Sequence, residues 1–496
     1  MSSQEPSIKF RGMFINDESP SLTGLVIGKF GKYNKEFNTH VFDLLLRLKV
    51  NFLWPAMWLG YPASKFFTDD PENQSTADAY ELLALYKEVQ EYWDAGRIDL
   101  PDDVTLLSAD DNFGSLRRLP SSSEADRKGG AGIYYHFEYV GVPRSYKWLN
   151  SNSIGKTWHQ LQEAYRRHAR QIWIFNVGDI KPMEIPFTLA MSLAWDIDSV
   201  TADSIPHFYK AMAEQVFGAE LARPVSSIWG EYHRLVAIRR QEHIDTDTFS
   251  LLHYDEATKI LSQWRNLLRT AQSLDTQRRS IFRSESGWLR TCSGQAKDYE
   301  ILRLPVINRA IDTSTAFEGY VESDDVVSIP ATQPTSGTEG YLIHPAAGRI
   351  PEGLISAQPA KLDSVAAGDL PFLSYSGYVF KYHSEATLHL DFNMTLDLDP
   401  GVPMQYELGI DDGPFEKHRL VEDASQPGEL PPGWRAAVMD LVWARKHALK
   451  DLRPGKHTLN IRLLHSNIML EKLLLNLGGL KPSYLGPPTS FRHTCK

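Results

Sequence analysis

The sequence predicts a multidomain protein made of a truncated TIM (β/α) barrel, a helical bundle and a C-terminal β-sandwich. Residues 8–201 alternate strand-like and helix-like segments, which is typical of a parallel sheet covered by helices. Residues 202–300 begin with long helical periodicity, and residues 316–490 combine frequent Pro and Gly with short alternating segments. A chain of 496 residues is also too long for a single hydrophobic core.

Five apolar runs in the first region are predicted to be strands. They cover residues 9–17, 51–58, 104–110, 131–140 and 170–178. Residues 36–50 and 157–169 place apolar side chains three and four positions apart, which indicates amphipathic helices. A complete barrel has eight strands, so the predicted barrel is incomplete.

Two further segments are apolar enough to form helices. ADAYELLALYKEVQEYWDAG (77–96) is predicted to form one continuous helix. GWRAAVMDLVWARKHAL (433–449) fits a strand and a turn as well as it fits a helix. Elsewhere in the C-terminal region, residues 386–393, 404–411 and 457–464 alternate as the strands of a sandwich do.

Composition excludes several classes of function. The formal net charge is −10 and there is no long basic run, which argues against a nucleic-acid partner. No apolar run reaches the length of a membrane-spanning helix, so no membrane partner is expected. Cys292 and Cys495 are the two cysteines, and they lie in polar surroundings that predict neither a disulfide framework nor a metal site. We therefore expect no cofactor and no metal.

Carboxylates cluster at or near the ends of the predicted strands. They are Asp17, Glu18, Glu88, Asp110, Asp111, Glu138 and Asp179. Because the carboxyl ends of barrel strands converge on one substrate, such a group suits the acid and base chemistry of glycosidic bond hydrolysis. For any single residue, a helix cap or an ordinary surface carboxylate is the more common explanation of the pattern.

Three other polar residues follow or interrupt the same apolar runs. His136 lies within YYHFEY, where it is either a core histidine or a hydrogen-bond donor of a site. Asn112 and Asn176 follow strands and suit sugar hydroxyls, although asparagine at a strand end is also common turn chemistry. Aromatic residues nearby, such as Trp54 and Tyr134, could stack on a sugar or belong to the core.

Several motifs in order resemble one family of enzymes. They include FRGMFINDESPSLTG (10–24), NFLWPAMW (51–58), LYKEVQEYWDAG (85–96), DDVTLLSADDNFGSLRRLP (102–120), GGAGIYYHFEYVGVPRSYKW (129–148), RQIWIFNVGDIKPMEIP (170–186) and GGLKPSYLGPPTS (478–490). The chain thereby resembles glycoside hydrolase family 115 over nearly its whole length. That family consists of xylan α-1,2-glucuronidases, which remove (4-O-methyl)glucuronic acid side chains from xylan with inversion.

The resemblance assigns roles to the strand-end residues. It implies that Glu88 is the general acid and that Asp17 lies in the substrate pocket. It places Asn112, His136 and Asn176 in the same pocket, hydrogen-bonded to the uronic acid. Either Asp17 or one of Asp110 and Asp111 would then activate water.

The resemblance also sets expectations that the sequence does not meet. The family would place two further strand ends between residues 80 and 85, and both are absent. Because the barrel is shortened, the alternative to an active enzyme is a degenerate relative that binds carbohydrate without turnover. The family acts outside the cell, yet MSSQEPSIKF lacks a signal-peptide pattern, which predicts a cytoplasmic product if Met1 is the true start. Glucuronoxylan is the implied partner, and a homodimer through the bundle or sandwich is possible.

Overall fold

The structure is a computed structural model. It describes residues 5–15, 21–55, 82–139, 141–143, 149–178, 180–281, 317–358, 370–399 and 401–494. Asp17, Glu18 and Asp179 lie outside these ranges.

The N-terminal region is a six-stranded parallel sheet flanked by helices. Its strands are β1 (Phe10–Phe14), β2 (Phe52–Trp54), β3 (Leu82–Leu85), β4 (Thr105–Ala109), β5 (Ala131–His136) and β6 (Ile172–Asn176). Its helices are α1 (Ser21–Phe30), α2 (Lys35–Arg47), α3 (Glu88–Asp94), α4 (Ser122–Ala125), α5 (Ile154–Arg166) and α6 (Glu184–Trp195). The strand order is β2-β1-β6-β5-β4-β3.

This order is that of a curled half-barrel. The first and last strands of the region are neighbours, because Phe14 of β1 pairs with Asn176 of β6. Strands β2 and β3 form the two edges. All five predicted strands are present. Because every strand is parallel, all carboxyl ends lie at the same edge of the sheet.

The prediction of one continuous helix over residues 77–96 is wrong. Leu82–Leu85 is strand β3, paired in parallel with β4, and helix α3 begins only at Glu88. The chain turns at Lys87, whose backbone has φ 52° and ψ −125°. Leu and Ala favour helices in isolation, but pairing with β4 decides the outcome here. Glu88 therefore lies just beyond a strand end.

Three long helices follow the sheet. They are α7 (Ile205–Phe217), α8 (Ala219–Ile238) and α9 (Glu256–Ile281). Single-turn 3-10 helices cover Ala202–Ser204 and Gln241–His243. Gly218 separates α7 from α8 with a positive φ of 85°, a conformation that glycine adopts without strain. The domain boundaries given above remain predictions.

The C-terminal region consists of two six-stranded sheets. One has the order β15-β12-β17-β10-β9, with β8 also paired to β17, and the other has the order β14-β13-β16-β11-β7-β18. The strands are β7 (Gly319–Val321), β8 (Val326–Pro330), β9 (Tyr341–His344), β10 (Leu354–Ala357), β11 (Leu373–Val379), β12 (His383–Asn393), β13 (Gln405–Ile410), β14 (Glu416–Arg419), β15 (Val442–Leu452), β16 (Gly455–Leu463), β17 (Met469–Asn476) and β18 (Arg492–His493). Both sheets contribute side chains to one hydrophobic cluster.

Residues 433–449, whose pattern fits either element, contain both. Helix α10 (Trp434–Asp440) ends at Leu441, which has a positive φ of 56°. Strand β15 begins at the next residue and pairs with β12. The apolar residues of this segment are therefore divided between a helix and a strand.

Helix α5 connects the half-barrel to the C-terminal region. Every residue from Ile154 to Ala164 is buried, including polar ones that a barrel helix normally exposes. Gln160 Nε2 donates to Asn467 Oδ1 at 2.7 Å, and Arg167 Nε donates to Asp399 Oδ1 at 2.9 Å. These bonds satisfy the buried polar groups and fix the C-terminal region against the sheet.

A buried histidine in α8 should make stability depend on pH. His233 Nδ1 donates to the Trp229 carbonyl at 2.8 Å, Nε2 accepts from Asn150 Nδ2 at 3.1 Å, and the ring stacks on Tyr209. This environment suits the neutral ring, and burial lowers the pKa of His233 to about 4. A depressed pKa means that the unfolded chain binds the proton first. The buried neutral ring of His233 therefore contributes about 3 kcal/mol to the free energy of unfolding above pH ~6.5, and this contribution is lost as the pH falls toward ~4.

Urea denaturation at about pH 7 and about pH 4 measures this effect. The His233→Gln variant should lose less stability on acidification than the wild type, because it has no ring to protonate. His207→Gln, at an exposed position of α7, is the matched control and should behave as the wild type does. Equal acid sensitivity of all three proteins would contradict the prediction.

No helix in the described part of the chain is long and apolar enough to cross a membrane.

Candidate functional site

Aromatic rings from four strand ends meet at the carboxyl edge of the half-barrel. Tyr134 lies at their centre, with ring centroids 5.5 Å from Trp54, 5.9 Å from Phe14, 5.8 Å from Tyr86 and 4.5 Å from His136. These residues follow or end β2, β1, β3 and β5. The curl of the sheet therefore brings together residues that are far apart in sequence.

His136 and Asp110 form a buried pair at the ends of β5 and β4. The distance from His136 Nδ1 to Asp110 Oδ1 is 2.5 Å, and the two side chains are 1% and 0% exposed. Asp110 Oδ2 accepts from the Gly114 backbone at 3.0 Å. A carboxylate at Nδ1 favours the tautomer with its proton there, so the neutral ring offers Nε2 as an acceptor. Asp110 thus orients His136.

Asn112 extends this cluster to Tyr86. Asn112 has a positive φ of 70°, which asparagine tolerates better than most residues, and its side chain hydrogen-bonds the Tyr86 phenol. The Tyr86 ring stacks on His136 at a centroid distance of 5.4 Å. Burial, with Tyr139 and Asp110 nearby, raises the pKa of Tyr86. The phenol is therefore neutral at physiological pH and can donate a hydrogen bond.

Asn176 reaches the cluster from β6. Its Nδ2 donates to the Tyr134 hydroxyl at 3.3 Å, and its Oδ1 accepts from the Gly178 backbone at 3.0 Å. Gly178 has φ 56°, and a Cβ at this position would collide with the Glu138 carboxylate. Glycine is therefore required where the chain passes Glu138, which is only 4% exposed.

Asp111 lies apart from this cluster. Its Oδ1 accepts from the backbones of Phe113 at 3.0 Å and Ser115 at 2.9 Å. Its Oδ2 accepts from Trp434 Nε1 at 3.0 Å. Asp111 thus shapes the turn after β4 and holds it against helix α10 of the C-terminal region.

The structure does not bury Glu88. It is the first residue of α3, and its side chain is exposed two positions after Tyr86. The predicted site thus separates into a cluster near an exposed acid, Glu88. The cluster consists of Asp110, His136 and Asn176, which are buried, and Asn112, which is half-buried.

Three residues near the cluster were not singled out for site roles by the sequence interpretation. Tyr86 directly follows β3, and its place in the LYKEV motif is the sequence pattern that could have indicated it. Glu138 was noted only as one of several strand-end carboxylates. No sequence pattern indicated Lys87, because residues 77–96 were predicted as one continuous helix and the turn at Lys87 was not predicted.

Among the residues that the structure describes, one group of possible metal ligands lies outside this cluster. Glu322, Asp325 and His383 place one ligand atom each within 4.8 Å of one another in the C-terminal region. Asp325 already pairs with Lys381 at 2.5 Å. This ion pair supplies the positive charge that the carboxylate needs, and we assign no metal here.

Comparison with protein-family models gives two matches. The Glycosyl hydrolase family 115 model matches residues 3–84 and 81–243, and the model of the family's C-terminal domain matches residues 319–489. The chain belongs to glycosyl hydrolase family 115. The first match falls into two segments that meet at residues 81–84, where β3 lies. The family assignment makes the protein a glycoside hydrolase.

Solved structures include a family 115 protein of similar fold. It is described as a 4-O-methyl-α-glucuronidase, BtGH115A, with specificity for decorated arabinogalactans. The TM-score is 0.68 at 18% identity, and the match covers 95% of this chain and 81% of that one. At this identity the likeness shows the fold alone.

Other solved structures are much less similar to this family 115 chain. A GH138 enzyme targeting pectin rhamnogalacturonan II has a TM-score of 0.26 at 12% identity, covering 48% of this chain and 46% of that one. A Podospora anserina GH26-CBM35 β-(1,4)-mannanase has a TM-score of 0.21 at 10% identity, covering 32% and 29%. Neither supports an inference. No curated protein matches the chain.

Proposed function

We propose that this protein removes (4-O-methyl)glucuronic acid side chains from glucuronoxylan. The observation that carries the proposal is the convergence of His136, Asn112 and Asn176 around Tyr134 and Tyr86 at the carboxyl edge of the half-barrel. Such a set offers hydrogen-bonding groups beside aromatic faces, which is what a sugar requires. Membership of family 115, and the similarity to BtGH115A, a 4-O-methyl-α-glucuronidase with specificity for decorated arabinogalactans, support 4-O-methylglucuronic acid as the sugar that is released.

In this proposal Glu88 is the general acid. Glu88 is exposed at the start of α3, so a bound polysaccharide can reach its carboxyl group. Asp110 already accepts two hydrogen bonds, so we assign it to orienting His136. Asp17 is the remaining candidate for activating water.

We also propose that the barrel is truncated and that the C-terminal sheets form a sandwich. Among the described residues, β2 and β3 are the edges of the sheet, and the family match divides at residues 81–84; both observations support the absence of two strands between residues 80 and 85. The hydrophobic cluster shared by the two C-terminal sheets supports the sandwich. The reaction would then take place in an open half-barrel.

Release of 4-O-methylglucuronic acid from glucuronoxylan tests the proposal. The wild type should release the acid, and Glu88→Gln should reduce the rate by about 10²–10⁴-fold, the usual contribution of a general acid. Glu220→Gln, an exposed glutamate in the first turn of α8, is the matched control and should keep full activity. Folded protein that binds glucuronoxylan but releases nothing would overturn the proposal and indicate a binding protein.

A further inference from the structure

We propose that Lys87 binds the carboxylate of the uronic acid, an inference that rests on the proposed function. Glucuronic acid differs from glucose by a carboxylate in place of a hydroxymethyl group. A site selective for the acid needs a positive charge in reach of that group, because an unpaired carboxylate is costly to desolvate. Among the described residues at the carboxyl ends of the strands, Lys87 can supply this charge.

Lys87 lies at the turn between β3 and α3, beside the aromatic cluster. Its Nζ is 5.0 Å from the Tyr86 ring centroid and 5.7 Å from that of Tyr139. Both rings contact His136, with centroid distances of 5.4 Å and 6.0 Å. The ammonium group is therefore held near the ring of His136 by two cation–π contacts.

No other lysine or arginine occurs among the described residues at the carboxyl ends of strands, in 82–88, 105–112, 131–139 and 172–178. Arg117, which lies close by in sequence, donates to the Gly428 carbonyl in the C-terminal region. Lys87 is exposed, so its ammonium group can exchange water for a ligand carboxylate at little cost. Because Lys87 directly precedes Glu88, binding by Lys87 would place the carboxylate of the sugar beside the proposed general acid.

The sequence provides a matched control. Lys49 is also exposed, also has a positive φ, of 58°, and also contacts an aromatic ring, with Nζ 4.1 Å from the Trp195 ring centroid. It precedes β2 and so lies at the amino ends of the strands, opposite the candidate site. Lys49→Met removes the same charge and the same kind of contact without touching the site.

Isothermal titration with methyl α-glucuronoside and methyl α-glucoside tests the inference. The wild type and Lys49→Met should bind the acid at least about 10-fold more tightly than the neutral sugar, as expected of a charge-assisted bond. Lys87→Met should lose this preference with little change for the neutral sugar, and Lys87→Glu should reverse it. Lys87→Arg should retain most of it. Circular dichroism checks that each variant is folded.

The outcomes separate this inference from the proposed function. If Lys87→Met keeps the preference for the acid, the inference fails, while release of 4-O-methylglucuronic acid by the wild type would still support the function. If the wild type shows no preference for the acid, the inference fails as well. Absence of both release and preference would overturn the two together.

Discussion

Replacing Arg349 by methionine should destabilise the folded protein by about 3–5 kcal/mol. Arg349 is 3% exposed, and its guanidinium donates to Glu471 Oε1 at 3.1 Å and to Asp391 Oδ2 at 2.8 Å. Glu471 is fully buried in β17, and burial raises the pKa of its carboxyl despite the neighbouring arginine. Without Arg349, Glu471 must either remain as an uncompensated charge or take up a proton, and either outcome costs stability.

Urea denaturation measures this cost, and two comparisons identify its origin. Arg47→Met removes an exposed pair with Asp43 and should cost less than about 1 kcal/mol. Adding Glu471→Gln to Arg349→Met should recover part of the lost stability, because the buried charge is then absent. A double variant that is no more stable than Arg349→Met would show that lost packing, not charge, causes the effect.

Arg349, Glu471 and Asp391 form a buried cluster that also connects the C-terminal sheets to the helical region. The guanidinium lies 5.3 Å from the Tyr484 ring centroid, and Arg239 at the end of α8 lies 4.8 Å from the same ring. The Tyr484 hydroxyl lies 2.8 Å from the Ile238 carbonyl oxygen and 2.7 Å from that of Asp440, so its single proton can be donated to either of them. Loss of Arg349 should therefore loosen a contact between two regions and not only one sheet.

The sequence is informative wherever local pattern and tertiary packing agree. Apolar runs such as 104–110 and 170–178 are strands because each is buried on both faces of a parallel sheet. Residues 82–85 have a helical pattern because Leu and Ala carry no strand signal of their own, and pairing with β4 determines their conformation. The helix predicted over 157–169 is present, but its periodicity could not show that its polar face would be covered.

Within the site, sequence identified the residue types but not their contacts. Asp110 and Asp111 are adjacent and equally acidic, so the sequence offered both for the same roles. Neighbouring residues at a strand end point in different directions, and here Asp110 meets His136 whereas Asp111 meets Trp434. The second contact joins residues more than 300 positions apart, which no local pattern reveals. Tyr86 became a site residue only once β3 placed it beside His136.

Asp110→Asn should reduce the rate of release of 4-O-methylglucuronic acid by about 10²–10⁴-fold, provided that the proposed function is correct. The variant side chain would offer an amide to His136 Nδ1 where the wild type offers a carboxylate. A neutral amide can present its NH₂ group to Nδ1, which would favour the tautomer with the proton on Nε2 and remove the acceptor from the substrate side. The fold should persist, since the side chains have nearly the same size and the Gly114 contact can be kept.

Asp111→Asn is the matched comparison, because the two aspartates are adjacent and similarly buried. Its side-chain oxygen can still accept from the Phe113 and Ser115 backbones, while the bond from Trp434 Nε1 is lost. This variant should therefore lower the thermal midpoint while retaining most of the catalytic rate at temperatures where it is folded. Measuring kcat, KM and thermal midpoint for both variants separates orientation of His136 from support of the loop. If both variants lose rate only in proportion to their loss of folded protein, Asp110 does not orient a residue of the active site.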